Sequence, residues 1–106
     1  MALVTLEEAK EYLRVDSADE DATIASLLLT ACFLTREVGR ITEATWASVK
    51  TGDDSSTALI QIRAVCHVAA LYTLGYLYEH RDEADHRELL LTLRALLFSI
   101  REGGLF

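Results

Sequence analysis

Apolar positions along the chain fall into helical rhythm in four stretches. Proline is absent, so the breaks between them come from Gly, Asp and Ser clusters. In the first stretch, Thr5 followed by Glu8 has the spacing of a capping box, in which each side chain takes an unpaired backbone N–H. This predicts a helix over 6–14 with Leu6, Ala9 and Leu13 on one face and Tyr12 beside them. Residues 15–19 read as a turn. A second helix is predicted over 19–38, with Asp19, Glu20 and Asp21 at the positive end of its dipole and Ile24, Leu27, Leu28, Ala31, Leu34 and Val38 in step. Gly39 is the expected left-handed C-cap, with Arg36 and Arg40 near the negative end. Residues 41–49 could be a short helix or an extended loop, residues 50–56 read as a turn, and Ser55 or Ser56 caps the next helix.

The third helix, predicted over 57–79, has a different pattern. Its polar residues Gln61, Arg63, His67, Thr73 and Gly75 point in scattered directions at 100° per residue and make no polar face. A helix apolar nearly all round is buried, and a domain this small has few elements to wrap it. The surplus therefore suggests a subunit contact through Leu71, Tyr72, Leu74, Tyr76, Leu77 and Tyr78. Trp46, in the undecided segment, is an aromatic candidate for the same contact, with a plug over the core as the competing reading. After an acidic turn over 79–85, a last helix is predicted over 86–101, capped by Asp85. Leu89, Leu93, Leu96, Leu97 and Ile100 form its stripe, and Leu90, Leu91 and Phe98 widen it beyond what one core uses. Gly103 and Gly104 end it and release Leu105 and Phe106.

These elements describe one all-α domain over residues 1–106, a small bundle of about four helices around one long central helix. The net charge of −7 is spread over both halves, and no basic stripe is present for gripping a phosphate backbone. No secretory segment is evident. The longest apolar stretch, residues 64–78, contains His67 and falls short of the roughly 20 residues of a membrane span.

Candidate chemistry is thin. Cys32 and Cys66 lie within apolar helical stretches and read as small buried hydrophobes, consistent with a cytosolic origin. Cys66 and His67 are adjacent, so on a helix they diverge by about 100° and make a poor nucleophile–base pair. His80 and His86 flank Asp82, Glu83 and Asp85, but the spacing matches a solvated turn better than a metal-ligand set. No phosphate loop or catalytic triad pattern is visible. The reading is therefore of a non-enzymatic protein with no catalytic or metal residues and no cofactor.

The opening residues 4–16, VTLEEAKEYLRVD, together with DEDATI over 19–24, resemble the start of the head–tail connector proteins of tailed bacteriophages. The resemblance continues in order through Val38-Gly39-Arg40, Tyr78-Glu79-His80-Arg81 and the closing segment from Leu96 to Arg101. One departure is Ser55-Ser56-Thr57, where members of that family often have proline before the third helix. The resemblance implies a structural virion protein of a phage or prophage. It would form a ring of about a dozen subunits beneath the portal, acting as an adaptor to the tail or its stopper protein. Its place would be the virion neck, reached from the host cytoplasm, with no membrane involved. DNA would pass through the lumen without specific binding. It further implies that the C-terminal part reaches toward the portal, which makes Leu90, Leu91, Phe98, Arg101, Leu105 and Phe106 portal-docking candidates. A small helical regulatory or toxin–antitoxin-type binding module acting as a closed dimer is the alternative.

Overall fold

The computed structural model describes residues 2–82 and 85–100, and among these every regular element is helical. The elements are α1 (Leu6–Leu13), α2 (Asp21–Gly39), α3 (Glu43–Thr51), α4 (Thr57–Glu79) and α5 (Arg87–Leu97). A 3₁₀ turn over Phe98–Ile100 comes after α5. The sequence reading of four helices is thus short by one, since part of the undecided segment is α3.

Local signals account for most boundaries. Thr5 Oγ1 accepts the Glu8 N–H at 3.1 Å, and Glu8 Oε1 accepts the Thr5 N–H at 3.1 Å, completing the capping box of α1. Thr42 accepts the Thr45 N–H to start α3, and Ser56 accepts the Leu59 N–H to start α4. Helix α5 begins one residue later than expected, with His86 at the cap position and no side-chain cap bond, and Asp85, expected as the cap, accepts the Arg87 N–H at 3.1 Å from one residue further out. Helix α2 begins at Asp21, two residues later than expected. Ser17 accepts the Asp19 N–H, and the Asp21 N–H turns back to the Ala18 carbonyl, so residues 17–20 form a turn. The expected role of Gly39 is also corrected. It is the last helical residue, and Arg40 takes the left-handed cap at φ 52°. A Cβ on Gly39 would lie 3.3 Å from the Ile41 side chain and 3.8 Å from that of Leu97, so the glycine serves close packing.

Helices α2 and α4 form the central pair, with α1 and α3 packed into the larger core cluster and α5 laid along the pair in the smaller one. Two adjoining clusters make the core. The larger gathers Leu3, Val4, Ala9, Ile24, Trp46, Val49 and Leu74; the smaller gathers Leu77, Leu89, Leu93 and Leu97. At roughly 25 cal/mol per Å² of apolar surface removed from water, each fully buried leucine contributes about 1.5–3 kcal/mol. Thr35 and Thr73, both fully buried, return their hydroxyls to the Ala31 and Ala69 carbonyls at 2.8 Å, so neither leaves an unpaired donor in the core. The assembly is flat, 39 × 30 × 18 Å along its principal axes. By length and mean hydropathy alone, α2 and α4 are each long and apolar enough to cross a bilayer, which the apolar stretch over residues 64–78 taken by itself does not show. In the fold, each turns its inner face to the other.

Polar ties join the elements at the surface. Lys10 Nζ lies 2.8 Å from Asp21 Oδ1, linking α1 to the start of α2. The Tyr78 hydroxyl donates to Glu20 Oε2 at 2.6 Å, and the Arg81 guanidinium donates to Glu20 Oε1 at 2.9 Å while lying 4.6 Å from the Tyr78 ring centroid. The start of α2 is thereby fastened to the end of α4.

Candidate functional site

The inner faces of α2 and α4 are defined by what they bury. On α4, Cys66, Ala69, Ala70, Thr73, Leu74 and Leu77 point inward. The opposite side carries Ile60, Ala64, Val68 and Tyr72, a row at four-residue spacing that solvent reaches along its length. Ile60 is 50% exposed, Val68 56% and Tyr72 37%. On α2, Ile24, Ala31, Thr35 and Gly39 point inward, and Leu29 (75% exposed) and Phe33 (60%) stand one turn apart on the outside. The central pair therefore shows an apolar face on each of its two outer sides. Contiguous exposed apolar surface of this kind makes these two faces the candidate site.

The two faces differ in shape. The α2 face forms one wall of a cleft of about 470 Å³. The segment Ala2-Leu3-Val4 and Leu6 form another wall, and Trp46 and Lys50 of α3 form a third. Arg36 and Lys50 are the charged residues of its lining. The α4 face is a ridge. Beside it, Asp53 and Asp54 of the α3–α4 turn line a more open hollow of about 480 Å³ with Ile60, Ala64 and Val68. Arg63 and His67 share that hollow, and each is also engaged outside it. The Arg63 guanidinium donates to the Val49 carbonyl, which secures the C-terminus of α3 on α4, and His67 Nε2 meets Glu8 Oε2 at 3.0 Å.

The structure sorts the residues expected at a subunit contact. Tyr72 is exposed and Leu71 half-buried. Tyr76 is half-buried and stacks on His80 at 4.0 Å, and Tyr78 is half-buried and bound to Glu20. Leu74 and Leu77 are corrected: the chain covers both itself, Leu74 completely, so they belong to its own core. Trp46 takes the competing reading, a plug over the core that is 8% exposed, and it also lines the cleft. The sequence reading misses Ile60, Val68, Leu29 and Phe33. Ile60, Val68 and Tyr72 share one row, and that row is visible as a spacing, but nothing in the sequence marks it as the outer one.

Of the portal-docking candidates, Leu90, Leu91 and Phe98 are exposed. Leu90 lines a hollow with Val38, Glu37, Arg40 and Arg94, whereas Leu91 lines another with Tyr76, Asp85, Arg87 and Glu88, so they flank α5 on different sides. Arg101, Leu105 and Phe106 lie outside the described residues, as does the predicted end of the last helix.

Chemistry elsewhere is quiet. Burial pushes the Cys66 thiol up to about 12, and the neighbouring Cys32 adds to the shift, so Cys66 is a protonated, unreactive thiol at neutral pH. His67 points to Glu8, and the adjacent pair is not a nucleophile with its base. Burial also raises the half-buried Cys32 thiol, opposed by Lys50. His80 meets the Tyr76 carbonyl through Nδ1 and packs on the Tyr76 ring, and His86 meets that ring edge-on at 5.9 Å, so both histidines serve the start and end of helices. Among the described residues, no three His, Cys, Asp or Glu side chains converge as a metal-binding group.

No protein-family model, curated protein or solved structure matches the chain.

Proposed function

We propose that the chain is the ring-forming subunit of a phage or prophage head–tail connector, an adaptor beneath the portal that joins capsid to tail and leaves a channel for DNA. One observation carries this reading beyond the sequence resemblance: the central helix pair has two unlike apolar faces, a cleft and a ridge, turned away from each other. A closed dimer uses one self-complementary patch, repeated by its two-fold axis. A ring uses two different patches, one for each neighbour. A flat subunit with an unlike apolar face on each side suits the second arrangement. The exposed Leu90, Leu91 and Phe98 offer further apolar surface for the portal or the tail-side protein. The net charge of −7 suits a conduit that repels DNA and does not hold it.

The test is co-assembly with the portal protein of the same genome. Light scattering and cross-linking of the purified complex should give many copies of the chain per portal. A dimer that saturates at two copies, both alone and with the portal, would overturn the connector reading and favour the regulatory module.

A further inference from the structure

Resting on the connector reading, we infer that the α2 cleft of one subunit receives the α4 ridge of the next, so that the ring closes by one repeated cleft-to-ridge contact. The occupant of the cleft is a second copy of this chain, and charge selects it. The lining of the cleft carries two cations, Arg36 and Lys50, in a protein whose net charge is −7. Neither has a carboxylate partner within the chain among the described residues. Arg36 donates through Nε to the Ile41 carbonyl at 3.3 Å, which leaves its positive charge unneutralised.

The ridge offers the opposite sign. Asp53 and Asp54 stand beside Ile60 and Val68. Asp53 accepts the Ser55 N–H, and Asp54 is exposed. In the same hollow Arg63 donates to the Val49 carbonyl and, like Arg36, keeps its charge, so two carboxylates stand against one guanidinium, while His67 meets Glu8. The outer side of α2 therefore carries two cations and no carboxylate in its cleft, and the outer side of α4 carries two carboxylates against one guanidinium beside its apolar row. Opposite potentials of this kind steer and orient association, and like charges brought together oppose it. The pairing also fixes a direction around the ring, since cleft meets ridge and cleft does not meet cleft.

Two sets of variants test the pairing in the full chain, alone and assembled on the portal. In a Cys32→Ser background, Phe33→Cys marks the cleft and Val68→Cys the ridge; both positions are exposed, so folding is preserved. A chain carrying both cysteines should cross-link into a ladder of increasing size. Each single variant should give no ladder and no self-linked dimer, and a mixture of the two should stop at dimers. Separately, Lys50→Glu and Asp54→Lys should each weaken self-association by about five- to tenfold. A one-to-one mixture of these two should recover it, because alternating subunits bring opposite charges together at every contact.

Self-linked dimers from either single cysteine variant would make the contact two-fold and overturn both the pairing and the ring. Many copies per portal without a ladder would overturn the pairing and leave the ring standing. A cross-link from Phe33→Cys to the portal would assign the cleft to that protein and overturn the pairing as well. Failure of the charge-variant mixture to recover association would remove Lys50 and Asp54 from the contact and overturn the charge selection.

Discussion

Helix α5 puts Leu89, Leu93 and Leu97 in one row at four-residue spacing, and all three are fully buried against the α2–α4 pair. Helix α4 has two apolar rows on opposite sides. One, through Cys66, Ala70, Thr73 and Leu77, is buried, and the other, through Ile60, Val68 and Tyr72, faces solvent. The same residue types thus do different work on the two helices. An amphipathic helix needs one partner surface and finds it within the domain. A helix apolar all round needs partners on every side, and a domain of this size supplies them on one side only. What the sequence pattern of α4 encodes is therefore a core face together with an apolar face that the chain itself leaves uncovered.

Truncation separates the two kinds of row most sharply. Leu93→Ala should destabilise the chain by about 2–5 kcal/mol, since it leaves a cavity in the smaller core cluster. Val68→Ala should stay within about 0.5 kcal/mol of the parent, because little of that side chain is removed from water on folding. Urea unfolding of the two variants reads the difference directly. Equal losses would mean that the ridge belongs to the fold, and the comparison between the helices would collapse.

The glycines sharpen the contrast at smaller scale. Gly39 lies against Ile41, which is itself buried, so a methyl group there would force the Ile41 side chain to give way by a few tenths of an ångström within the core. Gly39→Ala should cost about 1–2 kcal/mol through overpacking. Gly75 faces the ring of Tyr12, at 3.0 Å from a built Cβ, but that ring is half exposed and can swing outward. Replacing a mid-helix glycine by alanine gains up to about 1 kcal/mol in propensity, which offsets the displacement. Gly75→Ala should therefore leave the melting temperature unchanged or slightly raised, whereas Gly39→Ala should lower it.

The boundary between legible and illegible elements runs along the same line. Helices α2, α4 and α5 can be read because each spans three turns or more with periodic apolar residues, and α1 because its capping box is complete. Helix α3 is ambiguous in the sequence although its cap Thr42 and its stop Gly52 are both present. Nine residues are marginal as an isolated helix, and what settles α3 is tertiary: Trp46 and Val49 enter the core and Arg63 holds its last turn. The inward row of α4 is illegible for a related reason. With apolar residues on all sides, periodicity cannot say which row faces in, so the pattern offers Leu74 and Leu77 as surface where the fold exposes Ile60 and Val68. The surface cleft is out of reach of the sequence because its walls come from three separate segments.

The smallest expected effect concerns how the ends of the central pair are fastened. The Tyr78 hydroxyl first, and the Arg81 guanidinium second, hold the Glu20 carboxyl below its ordinary range. A carboxylate with a depressed folded pKa contributes stability that is present above the unfolded value, about 4.3, and lost as pH falls through the folded one. Glu20→Gln should therefore lower the melting temperature slightly at neutral pH, and the gap to the parent should close on acidification below about pH 4. Thermal melts across that range check it. A gap that stayed constant would mean that the tie works through shape and hydrogen bonding with no contribution from charge.

Trp46 is the only tryptophan in the chain, and its indole forms part of the cleft wall while remaining only 8% exposed. Under selective excitation, fluorescence from this protein therefore originates at a single place, and that place is the proposed seat of a neighbouring subunit. The molecule carries its own optical gauge of cleft occupancy, with no dye to attach and no second emitter to subtract. Emission intensity followed through mixing would give the rate at which subunits engage, in the same sample whose final size is measured by scattering.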